Sequence, residues 1–209
     1  MNEFDIKAAG WDQNPMHWDR SAAIVKELLK QVPVRKEMTA MEFGAGTGIT
    51  SFLLKDHLNE ITMLDSSSEM VKIMQEKVKA GNIKNLKPLL FDLEKEEWTG
   101  NKFDLLITQM VLHHVTDLDN IFLKFYKVIN PGGYLAIADL YIEDGSFHGE
   151  GFTGHKGFDI DTLANRLRNH GFGNISARKC FEINKEISEG VFRKFGVFLL
   201  IAYRPDILI

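Results

Sequence analysis

The stretch Met41-Glu-Phe-Gly-Ala-Gly-Thr-Gly-Ile49 decides the fold of this chain. It completes an apolar run over 38–43 that predicts a buried strand, and it opens an apolar-periodic run over 49–58 that predicts a helix. Three glycines lie between the two runs, at Gly44, Gly46 and Gly48. Glycine permits positive φ angles and a close approach of a ligand to the backbone, and the free N–H groups of the following helix start face that ligand. The stretch therefore predicts a cofactor cradle at a strand–helix turn.

Strand-like and helix-like patterns alternate downstream of this turn. The predicted strands are 38–43, 60–64, 86–91, 103–108 and 134–140. Such alternation predicts a doubly wound parallel sheet with helices on both faces. Two final strand-like runs, 175–183 and 195–203, are joined by the short link 184–194, which favours an antiparallel pair at the sheet edge.

The segment before the first strand is predicted to be an N-terminal helical cap. Apolar residues recur at helical spacing from 17 to 32, Pro33 ends the run, and Pro15 is expected to interrupt any earlier helix. We expect a single domain over 1–209, with the cap at 1–33 and the core at 34–209. Farther along, Ser66 and Glu69 are spaced as a capping box for the second core helix.

Composition narrows the classes of function. The chain is 44% hydrophobic and 26% charged, values typical of a globular protein. Its net charge of -4 and the lack of a basic run argue against a nucleic-acid partner. The longest apolar run, 197–203, is far shorter than a membrane span, so membrane insertion is not expected. A single cysteine, Cys180, and a polar N-terminus predict a cytoplasmic location.

Acidic residues at two strand ends help to identify the cofactor. Asp65 ends the second strand at the spacing of an acid that binds ribose hydroxyls, and Asp92 ends the third strand, where an adenine amino group is expected. The glycine spacing is G-x-G-x-G, with Ile49 at the position where a dinucleotide fingerprint has its third small residue. NAD is thereby disfavoured but stays an alternative.

Motifs along the chain resemble the Rossmann-like (class I) S-adenosylmethionine-dependent methyltransferases. Those motifs are Glu42-Phe-Gly-Ala-Gly-Thr-Gly48, Leu64-Asp65, Phe91-Asp92-Leu93, the post-strand segment 103–115 with Leu112-His-His-Val115, and Asn130-Pro-Gly-Gly133. They are similar to the small-molecule branch that includes ubiquinone/menaquinone-biosynthesis-type enzymes. The resemblance implies a three-layer αβα sandwich around a mostly parallel seven-stranded sheet whose last strand is antiparallel.

The same resemblance implies S-adenosylmethionine as the cofactor and assigns residues to it. The backbone of the glycine turn would hold the methionine and ribose parts, and the residues concerned are Gly44, Ala45, Gly46 and Gly48. Asp65 would bind the ribose diol, and Ser66 and Met70 would lie close to the adenosine. Asp92 and Leu93 would frame the adenine, and Gln109 would lie beneath the methionine moiety. Trp11 and Arg20 of the N-terminal segment would close over the donor.

Catalytic residues leave a fainter signal, because methyl transfer depends mainly on proximity and needs a base only when the acceptor must lose a proton. His113 and His155 are the candidate bases, and Asp139 is a further candidate. The alternative for each histidine is a packing or loop role. His114 follows His113 directly, and adjacent helical positions point in different directions, so we expect one of the two at most in the pocket and no metal.

The acceptor is predicted by elimination. The segment Thr108-Gln-Met-Val111 lacks the Asx-Pro-Pro-aromatic motif of enzymes that methylate adenine or glutamine amino groups. A small organic molecule is therefore the expected methyl acceptor and partner. Two alternatives stay open: a non-catalytic S-adenosylmethionine-binding sensor or partner subunit, and an NAD-dependent oxidoreductase.

Overall fold

A computed structural model describes residues 3–206. Its seven-stranded sheet has the order β3-β2-β1-β4-β5-β7-β6. The strands are β1 Thr39–Phe43, β2 Glu60–Asp65, β3 Leu86–Leu90, β4 Phe103–Gln109, β5 Ile129–Leu140, β6 Gly173–Ser188 and β7 Val191–Tyr203. The first five strands pair in parallel, and β7 is antiparallel to both β5 and β6. The predicted fold class is confirmed.

Helices cover both faces of this sheet. They are α1 Glu3–Lys7, α2 Pro15–Gln31, α3 Ile49–Leu54, α4 Ser68–Ala80, α5 Leu118–Val128 and α6 Ile160–Asn169, with short 3-10 turns at Ala8–Gln13 and Leu112–His114. Successive strand residues point to opposite faces, so the sheet feeds two apolar clusters. Ala40 joins the cluster with α2, α3 and α4, whereas Met41 joins the cluster with α5 and α6. The result is the expected three-layer sandwich.

Several element boundaries differ from the sequence-based prediction. Pro15 begins α2 rather than interrupting a helix, because a proline at the first helical position loses no intrahelical hydrogen bond. The Asn14 side chain caps this helix by accepting from the N–H of Met16 at 3.0 Å. The cap of α4 is Ser67, whose Oγ accepts from the N–H of Met70, so the predicted Ser66 cap was wrong by one position.

The carboxyl-terminal strands form a longer hairpin than predicted. The link 184–194 is itself paired, with Asn184 opposite Lys194 and Ser188 opposite Val191. No helix within residues 3–206 is both long and apolar enough to cross a bilayer. The predicted division into a cap at 1–33 and a core at 34–209 stays a prediction.

Candidate active site

A cavity of about 670 Å³ lies beyond the carboxyl ends of the central strands β1, β2 and β4. This is the edge at which open α/β sheets bind their ligands. The cavity is lined by residues 44–47 of the glycine turn and by histidines that follow β4 and β5. The N-terminal segment covers it with Phe4, Trp11 and Arg20 among others.

The glycine turn presents its backbone to this cavity. The N–H of Gly46 donates to Oδ2 of Asp65 at 2.7 Å, which holds the turn against the end of β2. Gly46 has a φ of +57°, and the atom nearest to a Cβ placed there is Nε1 of Trp11, at 3.9 Å. The space beside the Cα of Gly46 is thus open to a ligand, although its N–H is engaged by Asp65. Gly44, Ala45 and Gly46 all line the cavity, and their contact with a cofactor stays a prediction.

Gly48 is required for the packing of the turn against β2. A Cβ at this position would lie 2.3 Å from Cε of Met63, and its φ is +85°. Gly48 is absent from the cavity lining, so it allows α3 to start close to β2 rather than contacting a ligand. Its predicted place in the cofactor site is corrected to a packing position.

Acidic residues mark the ends of β2 and β3, as predicted. Asp65 also accepts from the N–H of Ser67 through Oδ1, at 2.9 Å, and burial raises the pKa of its carboxyl group. Asp92 lies at the cavity with an ion pair to Lys95, whose Nζ is 2.6 Å from Oδ2. Each carboxylate oxygen has two lone pairs, so Asp65 can accept further hydrogen bonds from a ligand.

Of four other residues that were predicted to contact the cofactor, three lie at the cavity and one does not. Ser66, Met70 and Gln109 line the cavity. Gln109 is fixed in place, since its Oε1 accepts from Oγ1 of Thr50 at 3.1 Å and its Nε2 donates to Oγ of Ser21 at 2.8 Å. Leu93 is fully buried in the cluster with α5 and does not reach the cavity, so its predicted adenine contact is corrected.

The N-terminal segment is fastened over the glycine turn by one carboxylate. Asp12 accepts a short hydrogen bond from Oγ1 of Thr47 and pairs with Nζ of Lys77 at 2.7 Å. The indole of Trp11 lies beside the imidazole of His17, with 4.3 Å between ring centroids, and both line the cavity. Trp11 therefore lies at the cavity, and its closure over the donor stays a prediction.

Arg20 is a buried cation that faces the cavity. It is 5% exposed, and burial lowers the pKa of its guanidinium to about 10, with Asp139 opposing that shift. Within residues 3–206 the guanidinium has no carboxylate ion pair, and its Nε has no hydrogen-bond partner. A buried charge without a partner is costly, so this position favours an anionic ligand group.

Three imidazoles meet at the lining of the cavity. They are His113 and His114 on the turn after β4 and His148 in the loop after β5, hereafter the histidine cluster. The ring centroid of His113 lies 4.2 Å from that of His114 and 4.9 Å from that of His148. The expectation that at most one of the adjacent pair faces the pocket was wrong, because the 3-10 turn brings both rings to its lining.

Asp139 orients the innermost ring of this cluster. Its carboxylate is fully buried at the end of β5, and its Oδ1 accepts from Nδ1 of His113 at 2.7 Å. Oδ2 accepts from the backbone N–H of His113 at 3.2 Å. The contact fixes the tautomer, since a carboxylate only accepts, and it leaves Nε2 of His113 with a lone pair.

His148 is the site residue that the sequence-based prediction missed. Burial, with the nearby His113 and His114, lowers its pKa to about 4, and Phe152 stacks on its ring at 3.8 Å. The predicted residue His155 lies in the same loop but not at the cavity, because its Nε2 donates to the carbonyl of Val115 at 3.0 Å. His155 thus anchors the loop, and its predicted catalytic place is corrected.

Comparison with known proteins identifies the family. Residues 34–155 match the family model described as "Methyltransferase domain", so the chain belongs to this family. Its fold is that of the class I methyltransferases, whose cofactor is S-adenosylmethionine, and the resemblance inferred from the motifs is confirmed.

Similar proteins include both curated relatives and solved structures. An uncharacterized methyltransferase of Schizosaccharomyces pombe is 27% identical over 173 residues, which are 75% of this chain and 61% of that protein. A demethylmenaquinone methyltransferase of Listeria welshimeri is 28% identical over 54% of this chain and 50% of its own length. The chain thus spans only 61% and 50% of these relatives.

Two solved structures share the fold at low sequence identity. A chain of the complex between the Haloferax volcanii Trm112 methyltransferase activator and a methyltransferase superposes with a TM-score of 0.77 at 19% identity, covering 98% of this chain and 99% of that one. Phosphoethanolamine N-methyltransferase 2 of Haemonchus contortus, with phosphomonomethylethanolamine and S-adenosylhomocysteine, gives 0.72 at 16% identity, covering 90% and 53%.

The residues of the cavity fit S-adenosylmethionine. The molecule carries a carboxylate, for which the unpaired guanidinium of Arg20 is the complementary group. It also carries a ribose diol, which matches an acidic acceptor such as Asp65 at the end of β2. The space beside the Cα of Gly46, which lines the same cavity, is free of close side chains.

Proposed function

We propose that this chain methylates a small organic molecule, with S-adenosylmethionine as the methyl donor. The observation that carries the proposal is that one cavity is lined by both the glycine turn and the histidine cluster. A donor held by the glycine turn and an acceptor beside the histidine cluster would then share a single cavity. Its volume of about 670 Å³ falls within the ~300–1,000 Å³ typical of small-molecule sites.

The cofactor side would be built by ten residues that the sequence already singled out. They are Gly44, Ala45, Gly46, Asp65, Ser66, Met70, Asp92, Gln109, Trp11 and Arg20. When bound, S-adenosylmethionine supplies a methyl group on a positively charged sulfur. Asp65 would accept hydrogen bonds from the ribose hydroxyls, and Arg20 would bind the carboxylate in a bidentate manner. Gly48 and Leu93 would support this side through packing.

On the acceptor side, His113 has the geometry of a proton acceptor. Asp139 holds its Nδ1–H, so Nε2 carries the lone pair. An imidazole oriented by a buried carboxylate can take a proton from a hydroxyl, thiol or amine as it attacks. A further positive group, Lys185, lines the same region and favours an acceptor with a negatively charged oxygen or sulfur.

Calorimetry tests the donor half of this proposal. We expect S-adenosylmethionine and S-adenosylhomocysteine to bind, and NAD not to bind. Replacing Asp65 by Asn should weaken binding of both by about 10-fold or more, because a hydrogen bond to a charged group contributes about 1.5–3 kcal/mol. Asp56→Asn is the matched control, since its side chain is 80% exposed on the surface. Equal affinities for the two variants would contradict the role of Asp65, and binding of NAD alone would contradict the cofactor.

Turnover tests the acceptor half. The wild-type chain is incubated with S-adenosylmethionine and a panel of phenols, quinols, amines and thiols, and S-adenosylhomocysteine is quantified. Formation that depends on one acceptor class supports the proposal. Tight donor binding with no product above the acceptor-free control in any class would contradict it and favour the non-catalytic sensor instead.

A further inference from the structure

The histidine cluster has the donor set of a metal site. His113, His114 and His148 each offer a ring nitrogen, and these three nitrogens lie within 4.8 Å of one another. A zinc ion bound at about 2.0–2.1 Å from each nitrogen requires nitrogens roughly 3.4 Å apart in a tetrahedron. Small side-chain rotations that move the nitrogens by roughly 1 Å would bring them from within 4.8 Å to that spacing.

A carboxylate behind one imidazole strengthens this assignment. Asp139 is fully buried and accepts from Nδ1 of His113 at 2.7 Å, so Nε2 is the nitrogen available to an ion. Metal-binding histidines nearly always donate their second nitrogen to a carboxylate or carbonyl, which fixes the ring and raises its basicity. The His113–Asp139 pair is therefore arranged as a metal ligand and its outer support.

An unsatisfied nitrogen is the second, independent sign of a ligand. Nε2 of His148 is buried and has no hydrogen-bond partner within residues 3–206. Buried polar atoms are nearly always satisfied, and an exception calls for an explanation such as an ion. The ring of His148 is held in place by Phe152, which stacks on its face with an interplanar angle of 17°.

We propose that His113, His114 and His148 bind one divalent transition-metal ion of the Zn²⁺ type, with Asp139 as the supporting carboxylate. Imidazole donors suit Zn²⁺ and its first-row neighbours rather than Mg²⁺ or Ca²⁺. Three protein ligands leave a fourth position, which faces the cavity and can take water or an oxygen of a bound molecule. Such an ion would engage the Nε2 lone pair of His113, so it would replace the free imidazole as the group that activates the acceptor. The inference goes beyond the proposed function, and ion binding is measured without methyl transfer.

Cobalt titration tests the proposal on the full chain without a polyhistidine tag. After chelator treatment and desalting, Co²⁺ is added and the visible absorption is recorded, because tetrahedral Co²⁺ absorbs far more strongly than the hydrated ion. We expect one equivalent to bind with a tetrahedral spectrum and Zn²⁺ to displace it. Elemental analysis after desalting gives the stoichiometry independently. Sub-stoichiometric retention with an unchanged spectrum would overturn the proposal.

Three variants localise the ion. His148→Gln should weaken Co²⁺ binding by about 100-fold or more, and Asp139→Asn by about 10–100-fold, the usual range for an outer-shell partner. His57→Gln replaces an exposed surface histidine and should bind like the wild type. Equal Co²⁺ affinity for His148→Gln and His57→Gln would refute the site. Calorimetry with S-adenosylmethionine on the same samples shows whether the variants are folded. Because Co²⁺ affinity and S-adenosylmethionine affinity are measured separately, failure of the metal site can be told from failure of the proposed donor site.

Discussion

Glu42 should give the protein a measurable pH dependence of stability. Glu42 is 2% exposed and is the last but one residue of β1, two positions before Gly44. Burial raises its pKa from 4.5 to about 7, although Oε2 accepts hydrogen bonds from the N–H and the hydroxyl of Ser51, which oppose the shift. The folded protein therefore keeps this proton to a higher pH than the unfolded chain.

The sign and size of the effect follow from that difference. Below about pH 4.5 the carboxyl is protonated in both states, and the contribution of Glu42 to stability is fully present. As the pH rises toward 7, the unfolded chain releases the proton first, so the free energy of unfolding falls. At 1.36 kcal/mol for each pKa unit, the loss amounts to about 3 kcal/mol by neutral pH.

Glu42→Gln removes the titration while keeping the side-chain shape and an oxygen that can accept from Ser51. Urea unfolding of the ligand-free protein is followed at several pH values between about 4.5 and 8, with linear extrapolation to water. The stability difference, variant minus wild type, should rise by about 3 kcal/mol across this range. Glu37→Gln, at an exposed glutamate, serves as the control. A Glu42→Gln curve that runs parallel to the wild type would refute the reasoning.

Two further variants test packing and buried charge. Gly48→Ala should cost about 1–3 kcal/mol more than Gly151→Ala, measured by urea unfolding: their φ angles are +85° and +86°, but only the first places a Cβ against Met63. Similar losses for both would mean that the Met63 side chain moves aside for the extra methyl. Lys124→Met should lower the free energy of unfolding by about 3 kcal/mol, because the buried Nζ donates to the carbonyls of Leu93, Glu94 and Glu96. Lys127→Met, at an exposed lysine of the same helix, is the control and should change the free energy of unfolding by less than ~0.5 kcal/mol. Equal losses for the two variants would show that the carbonyl contacts of Lys124 contribute little.

Local patterns predicted the parts of the site that lie on regular elements. The run from β1 through the glycine turn into α3 combines apolar periodicity with glycines at the corner, so its geometry follows from short-range sequence. Asp65 and Asp92 follow strand ends, and parallel strands bring such ends to one edge. Leu93 was misplaced because adjacency to Asp92 in sequence does not mean a shared direction in space.

Long-range placement was harder to predict. Arg20 lies beside the apolar stripe of α2, and helical periodicity cannot tell a solvated flank from one that faces a cavity. His148 and His155 belong to one irregular glycine-rich loop, whose path is set by contacts such as that of His155 with Val115. Sequence spacing therefore could not say which of the two rings turns inward. The 3-10 turn that carries His113 and His114 is only three residues long, so its sequence has no apolar period from which the directions of the two rings could be predicted.

Asp12 couples two of the contacts that hold the N-terminal segment over the cavity. Thr47 on the glycine turn and Lys77 on α4 are held by the same carboxylate, so lifting the N-terminal segment breaks both contacts in one event. Such a segment should exchange its amide hydrogens as a unit, at a free energy well below global unfolding. Since the side chains of Lys77 and Asp12 are 23% and 32% exposed, added salt should weaken their ion pair and speed ligand exchange.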